Sequence, residues 1–197
     1  LDSAGLLMAL NLAVREVTGV DWTALRPASF DPTQLVVVDR DGRTLMDAAL
    51  KRRIADAAVA RAREFPGIVG AWTAETLAAR KADMRVSPDL LSVPDRMALS
   101  FYPKRSGDVM LAAEPLTTPA PAMPGLFMMG HSGPSDFNRR VPLLIWWPGA
   151  PSQERALPIE VADLAPTLAA LVGAPPTDKV DGHCIEITEL SINCGHP

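Results

Sequence analysis

The sequence has little of what marks nucleic-acid-binding and membrane proteins. Its 19 lysines and arginines against 23 aspartates and glutamates give a net charge of −4, and the densest basic group is KRR at residues 51–53. Nucleic-acid binding needs a basic face, and we expect this triplet to lie on the solvated face of a helix. No apolar run approaches the roughly 20 residues that span a bilayer. We therefore expect no nucleic-acid partner and no membrane span.

Cysteine is scarce as well. Cys184 and Cys194 are the only two, and they lie in a turn-rich tail near His183 and His196. They lack the Cys-x-x-Cys spacing of structural zinc sites. A disulfide between them would close a short loop and is typical of oxidising compartments. We favour the disulfide over a zinc site, and with it a periplasmic or secreted location.

The start of the chain lacks both a methionine and a signal-peptide pattern, which is a basic segment followed by an apolar one. We interpret Leu1 as a cut end, so that the chain is processed, truncated or part of a larger polypeptide.

What the chain does have is a globular composition, 48% hydrophobic and 21% charged. Apolar periodicity, caps and turn residues predict alternating elements. These are helices at 3–18, 46–64, 75–81, 95–101 and 163–173, strands at 35–38, 68–72 and 109–113, and a proline-rich connector at 115–124. The order of elements across 34–114 predicts a small α+β insert with its own sheet within an α/β protein.

One loop stands out, residues 130–142, with the sequence GHSGPSDFNRRVP. The apolar run LLIWW at 143–147 follows it and predicts a buried strand, with Trp146 and Trp147 on opposite faces. Loops at the ends of buried strands often carry the chemistry of α/β proteins. His131 is therefore the first candidate site residue, although a lone loop histidine is more often an ordinary hydrogen-bonding group.

The other polar residues near this loop have local structural interpretations. Asp136 and Asp181 are typical of turns and Asp163 of a helix N-cap. Arg139 and Arg140 are expected to face solvent. Ser132 has no GxSxG pattern around it, which argues against a hydrolase nucleophile there.

Three motifs, in order and spacing, resemble the C-terminal third of alkaline phosphatases related to nucleotide pyrophosphatases/phosphodiesterases. Residues 101–109, FYPKRSGDV, are similar to that family's RSGD stretch before a strand. The loop that carries His131 is similar to its His-Gly-Ser-Pro loop ending in Val-Pro. Residues 161–168, VADLAPTL, with Asp181 and Gly182 after them, are similar to its VDIAPTLA and DG. Within the loop, the family's Gly-Ser is Ser-Gly here, and its Tyr-Asp is Phe-Asn.

The resemblance implies that His131 binds one of two zinc ions (Zn2+) that hold a phosphate monoester, which a phospho-enzyme mechanism then hydrolyses. It implies no catalytic residue in this chain, because the family's nucleophile and most of its metal ligands lie upstream of the matched region. We therefore expect residues 1–197 to be inert alone and to need the missing N-terminal part of the same protein.

The predicted fold is the C-terminal part of an alkaline-phosphatase-like α/β/α sandwich. Its first helix, 1–19, and the return segment, 115–197, belong to the main domain, and 20–114 form the inserted α+β subdomain. The predicted function is a zinc-dependent alkaline phosphatase. The alternatives are a phosphodiesterase or nucleotide pyrophosphatase of the same superfamily, and a non-catalytic binding domain that keeps the fold.

Overall fold

The computed structural model describes residues 1–29, 32–83, 86–120, 133–150, 152, 154, 156, 158–174, 178–187 and 194. The chain divides into two compact units, and the fold is mixed α/β as predicted. The first unit comprises 1–86 and 91–141, and the second comprises 87–90 and 142–197. In the described part of the chain, no helix combines the length and the apolar character that crossing a bilayer requires.

The first unit begins with helix α1, Ser3–Thr18. The Asp2 carboxylate accepts a hydrogen bond from the Ala4 N–H and caps its start, and Gly19 ends it in the left-handed conformation that glycine adopts without strain. Both boundaries are as predicted, because they depend on contacts between residues close in sequence.

Helix α2, Ala48–Arg63, packs against α1. Its N-cap is Asp47, whose carboxylate accepts from the Leu50 N–H, and one face of the helix is buried from Ile54 to Ala62. The predicted helix at 46–64 is confirmed within two residues at either end.

Four strands form one antiparallel sheet in the order β1-β2-β4-β3. They are β1 at Leu25–Pro27, β2 at Gln34–Val37, β3 at Ile68–Thr73 and β4 at Val109–Ala113. The sequence pattern predicts the last three but misses β1, which has three residues and ends in proline. The predicted subdomain sheet therefore has one more strand, at its edge.

The core of this unit lies between the sheet and the two long helices. Leu10, Val14, Leu25, Ile54 and Leu111 are among its fully buried members. Leu6, Leu10 and Val14 of α1 share this core with the sheet. The division into a main domain at 1–19 and 115–197 and an insert at 20–114 stays a prediction. How this unit fits into a larger α/β/α sandwich stays a prediction.

Two short helices cover the other side of the sheet, α3 at Ala74–Ala79 and α4 at Val93–Ser100. Thr73 and Ser92 cap them. Leu77 and Met97 meet Met110 of β4 in a second, smaller apolar cluster. A single helical turn, α5 at Asp136–Arg139, completes this unit.

The second unit holds two 3-10 turns, Pro88–Leu90 and Val161–Asp163, and helix α6, Leu164–Leu171. Helix α6 is the C-terminal helix that the sequence predicts at 163–173, and the 3-10 turn Val161–Asp163 directly precedes it. It ends before Gly173, which has a left-handed φ of 66°.

The predicted buried strand at 143–147 is wrong for this structure. These residues form no strand, and their side chains are exposed except that of Trp147, which is half-buried; Leu144 is 90% and Trp146 80% exposed. Consequently the two tryptophans do not lie on opposite faces of a sheet. A strand needs a neighbouring strand for its backbone hydrogen bonds, and no strand in the described part of the chain pairs with this segment.

Candidate functional site

The segment that follows His131 is described from Gly133 onward. Gly133 has a φ of 142°, a conformation that favours glycine, and the chain then turns into α5. The N–H groups of Asn138 and Arg139 both donate to the Ser135 carbonyl, and the Arg140 N–H donates to the Asp136 carbonyl. The loop that the sequence singles out therefore ends in a hydrogen-bonded turn.

Arg96 of α4 holds this turn from the side. Its Nη1 atom donates to the Pro134 carbonyl at 2.9 Å and lies 2.8 Å from a carboxylate oxygen of Asp136. Arg139 also reaches Asp136, at 3.3 Å. The Arg96 side chain is only 11% exposed, so this charge is paired largely away from water. The predicted turn position of Asp136 is correct, but its carboxylate takes part in ion pairs that the sequence does not indicate.

The base of α4 is fixed by a second arginine–aspartate pair. The Arg80 Nε atom lies 2.7 Å from a carboxylate oxygen of Asp95, and the Ser92 hydroxyl donates to the other oxygen. The Arg80 guanidinium holds the pKa of the Asp95 carboxyl below its ordinary value, and the Ser92 hydroxyl is the next largest cause of this lowering. The N-terminus of α4, the helix that carries Arg96, is therefore both capped and ion-paired.

A cavity of about 390 Å³ lies in the same unit, beside Arg96 and the turn. Met97 and Met110 give it an apolar wall, and Gln34, Ser135 and Asn138 line it with hydrogen-bonding groups. The turn at 135–140, within the loop defined above, thus borders a space that is partly polar.

The RSGD motif holds the sheet together. Asp108 accepts a hydrogen bond from the Val37 N–H at 2.8 Å and lies 2.7 Å from the Lys51 ammonium. Gly107 packs so closely on β2 that a Cβ there would lie 2.6 Å from the Leu35 carbonyl oxygen. The motif therefore joins β4, β2 and α2, and Lys51 is ion-paired and half-buried instead of lying on a solvated face.

The VADLAPTL motif forms a comparable junction in the second unit. The Asp163 carboxylate accepts from the Glu160 N–H at 2.8 Å and from the His183 N–H at 2.7 Å. The Thr167 hydroxyl donates to the Asp163 carbonyl and accepts from the Ile185 N–H. Asp163 is thus buried and structural as predicted, but its side chain does not cap α6. It caps the preceding 3-10 turn and holds the later DG segment instead.

The DG segment itself needs its glycine. A Cβ at Gly182 would lie 2.0 Å from the Ala162 carbonyl oxygen. Two residues further on, Cys184 forms a disulfide with Cys194, the pairing that the sequence analysis favours. The motif around His131 thus belongs to a loop, whereas the VADLAPTL motif holds a segment of the C-terminal tail.

His131 lies outside the described residues, and its predicted zinc ligation stays a prediction. Among the residues that the structure describes, no group of three or more His, Cys, Asp or Glu side chains is arranged to hold a metal ion. An imidazole nitrogen suits zinc, but a catalytic zinc typically takes three protein ligands. The other ligands would have to come from outside the described part.

The sequence alone does not indicate the contacts of Arg96. Arg96 lies on a short amphipathic helix, at a position where the sequence pattern predicts an ordinary solvent-facing arginine. Its partners are 38 and 40 residues further along the chain, so no local pattern could have indicated the contact.

Comparisons with known proteins confirm the resemblance seen in the motifs: the chain is similar to alkaline phosphatases over about 70% of its length. It is 34% identical over 145 residues to alkaline phosphatase PhoK from a Sphingomonas species, a match that covers 72% of this chain and 26% of the relative. It is 33% identical over 138 residues to alkaline phosphatase PhoD from Zymomonas mobilis, covering 70% and 24%. The chain therefore spans about a quarter of the length of these relatives. No protein-family model matches it.

Proposed function

We propose that this chain is the C-terminal part of a zinc-dependent alkaline phosphatase that hydrolyses phosphate monoesters. The observation that carries the proposal is the similarity to two alkaline phosphatases over about 70% of the chain. The three motifs of the chain resemble those of the family and occur in the same order. Residues 1–197 are inert by themselves in this proposal, because they supply one metal ligand and no nucleophile.

His131 is the residue to which we assign zinc binding. Two zinc ions would supply Lewis-acid stabilisation of the phosphoryl oxygens and activate the nucleophile when bound. What this chain contributes is the imidazole and the loop that orients it. The described residues after His131 form the turn at 135–140, which Arg96 contacts.

A periplasmic or secreted location is part of the proposal. The disulfide between Cys184 and Cys194 supports it, because disulfides persist in oxidising compartments and are rare in the cytosol.

The test uses the whole protein from which the chain comes, assayed with p-nitrophenyl phosphate and analysed for bound zinc. His131→Ala should lower kcat/KM at least about 100-fold and reduce the zinc content. His183→Ala is the matched control, since the His183 side chain is 90% exposed. It should leave both quantities unchanged. Unchanged zinc and activity in His131→Ala would refute the assigned metal role.

The same assay separates the two alternatives. A clear preference of the wild-type protein for bis-(p-nitrophenyl) phosphate would mean a phosphodiesterase. No hydrolysis of either ester by the zinc-loaded protein would favour a non-catalytic binding domain.

A further inference from the structure

We infer that Asn11 and Arg63 close the two outer edges of the four-stranded sheet, so that no strand of a second copy of this chain pairs with it. In the described part of the chain, β1 and β3 are the outer strands. An outer strand whose backbone groups are unpaired is a template for strand pairing between chains, and soluble proteins protect such edges with polar side chains, proline or bulges. The inference goes beyond the proposed function and does not depend on it, because it concerns only contacts within the first unit.

The hydrogen bonds of β2 show which residue of β1 faces outward. Val37 lies opposite Leu25 in the register. Its N–H donates to the carboxylate of Asp108, which directly precedes β4, and its C=O accepts from the Leu45 N–H. Residues opposite each other in an antiparallel pair either exchange both hydrogen bonds or direct both away from each other. Because Val37 directs its groups away from β1, the backbone groups of Leu25 face the outer edge.

Asn11 of α1 binds both outward groups of Leu25. Its side-chain oxygen accepts from the Leu25 N–H at 3.0 Å, and its amide nitrogen donates to the Leu25 carbonyl at 3.2 Å. A primary amide offers a donor and an acceptor, as a backbone peptide group does. Asn11 therefore takes the place of a residue on a neighbouring strand, and Leu25 beneath it is fully buried.

Pro27 protects the rest of this edge. It lies opposite Leu35, whose C=O accepts from the Asp108 N–H on the β4 side, so Pro27 also faces outward. Proline has no N–H to give to a further strand. A strand added at β1 would thus meet one residue that is bonded to Asn11 and one without a donor.

Arg63 of α2 has the same role at β3. Ala71 lies opposite Leu111, whose N–H donates to the Thr33 carbonyl on the β2 side, so Ala71 faces outward. The Arg63 Nη2 and Nε atoms donate to the Ala71 carbonyl at 2.9 Å and 3.2 Å. A register irregularity at 68–70, of the kind that twists an edge away from a partner, comes just before it. Each long helix therefore supplies one side chain to one edge of the sheet.

Arg63→Met in the whole protein tests the longer edge, since β3 has six residues and β1 three. Methionine keeps an unbranched side chain but donates no hydrogen bond, so the Ala71 carbonyl becomes available to a second chain. We expect sedimentation velocity to show a concentration-dependent dimer of about twice the wild-type mass, because an edge that pairs with itself closes after two copies. The wild-type mass at every soluble concentration would overturn the inference.

Arg53→Met is the matched control. Arg53 lies on the same helix, and its Nη2 atom also donates to a backbone carbonyl, at 3.3 Å, but that carbonyl belongs to Val17 of α1 and not to the sheet. This variant should keep the wild-type mass. Association of both variants would show that the loss of an arginine, and not an open edge, causes it, and the inference would be wrong.

Hydrogen exchange shows where the copies meet. In Arg63→Met, exchange of the Ala71 N–H should slow as the protein concentration rises, because this group faces the same edge and a partner strand accepts from it. In the wild-type protein the rate should not depend on concentration. A dimer of the variant in which Ala71 exchange is also independent of concentration pairs elsewhere and contradicts the inference.

The double variant Asn11→Leu/Pro27→Val tests the β1 edge, because it removes both protecting groups there. It should form a dimer as Arg63→Met does, and the wild-type mass would overturn the inference for β1. With Arg63→Met added, association should continue beyond the dimer, since open edges on opposite sides of one sheet let each copy pair with two others. If the variants at β1 do not fold, Arg63→Met alone decides.

Discussion

At the scale of single residues, Asp108 shows how a motif that resembles a catalytic family can have a structural function. Its carboxylate pairs with Lys51 and accepts from the Val37 N–H, and both contacts join elements far apart in sequence. Val37 is fully buried, so its N–H loses its acceptor in the protein if the carboxylate is removed. The motif is explained by this junction without any contact to substrate.

Asp108→Ala and Asp108→Asn should therefore differ. Alanine leaves the Val37 N–H without its acceptor, which costs about 1–3 kcal/mol, whereas asparagine keeps an oxygen there and loses only the half-exposed ion pair, worth up to about 1 kcal/mol. Urea unfolding of both variants gives the two free energies. Glu75→Ala, which removes an exposed pair with Arg52, should be near neutral. Equal losses in the two Asp108 variants would show that the backbone contact contributes nothing.

At the scale of elements, the start of α4 is stabilised by charge. Because Arg80 and Ser92 lower the folded-state pKa of Asp95 below the unfolded value of about 3.9, this group contributes stability above that pH. The contribution is lost as the pH falls through the folded-state pKa. Helix α4 should consequently loosen on the acid side, and Arg96 with it.

The carboxyl carbon chemical shift of Asp95, followed by NMR as a function of pH, measures this pKa directly. We expect a midpoint below the ordinary aspartate value in the wild-type protein. Arg80→Met should raise it, because the largest cause of the lowering is removed, and Ser92→Ala should raise it less. A midpoint that does not respond to Arg80→Met would contradict the ion pair.

At the scale of the whole molecule, the run at 143–146 stands out because it is apolar and yet exposed. Leu143, Leu144, Ile145 and Trp146 are exposed side by side, and contiguous apolar surface of this kind marks an interaction site. The relatives are about four times as long as the matched region. We expect polypeptide outside this chain to cover the run in the complete protein.

Leu144→Asp in the whole protein tests this expectation. If the run is covered, a charge there is buried without a partner and should lower the free energy of unfolding by more than about 2 kcal/mol. Met46→Asp is the control, because Met46 is 87% exposed in a different part of the chain. It should change stability by less than about 0.5 kcal/mol. Equal small effects would mean that residue 144 stays exposed.

The elements could be predicted from the sequence because their signals are local. Asp2, Asp47, Thr73 and Ser92 cap helices within three residues of themselves, and apolar periodicity reports which face is buried. The same holds for the disulfide, whose cysteines are ten residues apart. The family resemblance, too, is a property of the sequence alone.

Only the tertiary structure decided which polar groups meet. Arg96 reaches Asp136 across 40 residues, and Asp163 holds the His183 backbone across 20, because folded chain paths bring them together and no spacing encodes that path. The run at 143–147 shows the same limit of prediction from sequence, here for an apolar segment. Its composition predicts burial, but burial requires a neighbouring surface. No strand among the described residues pairs with this run. Composition determines what a segment can bury, whereas its neighbours in space determine whether it does.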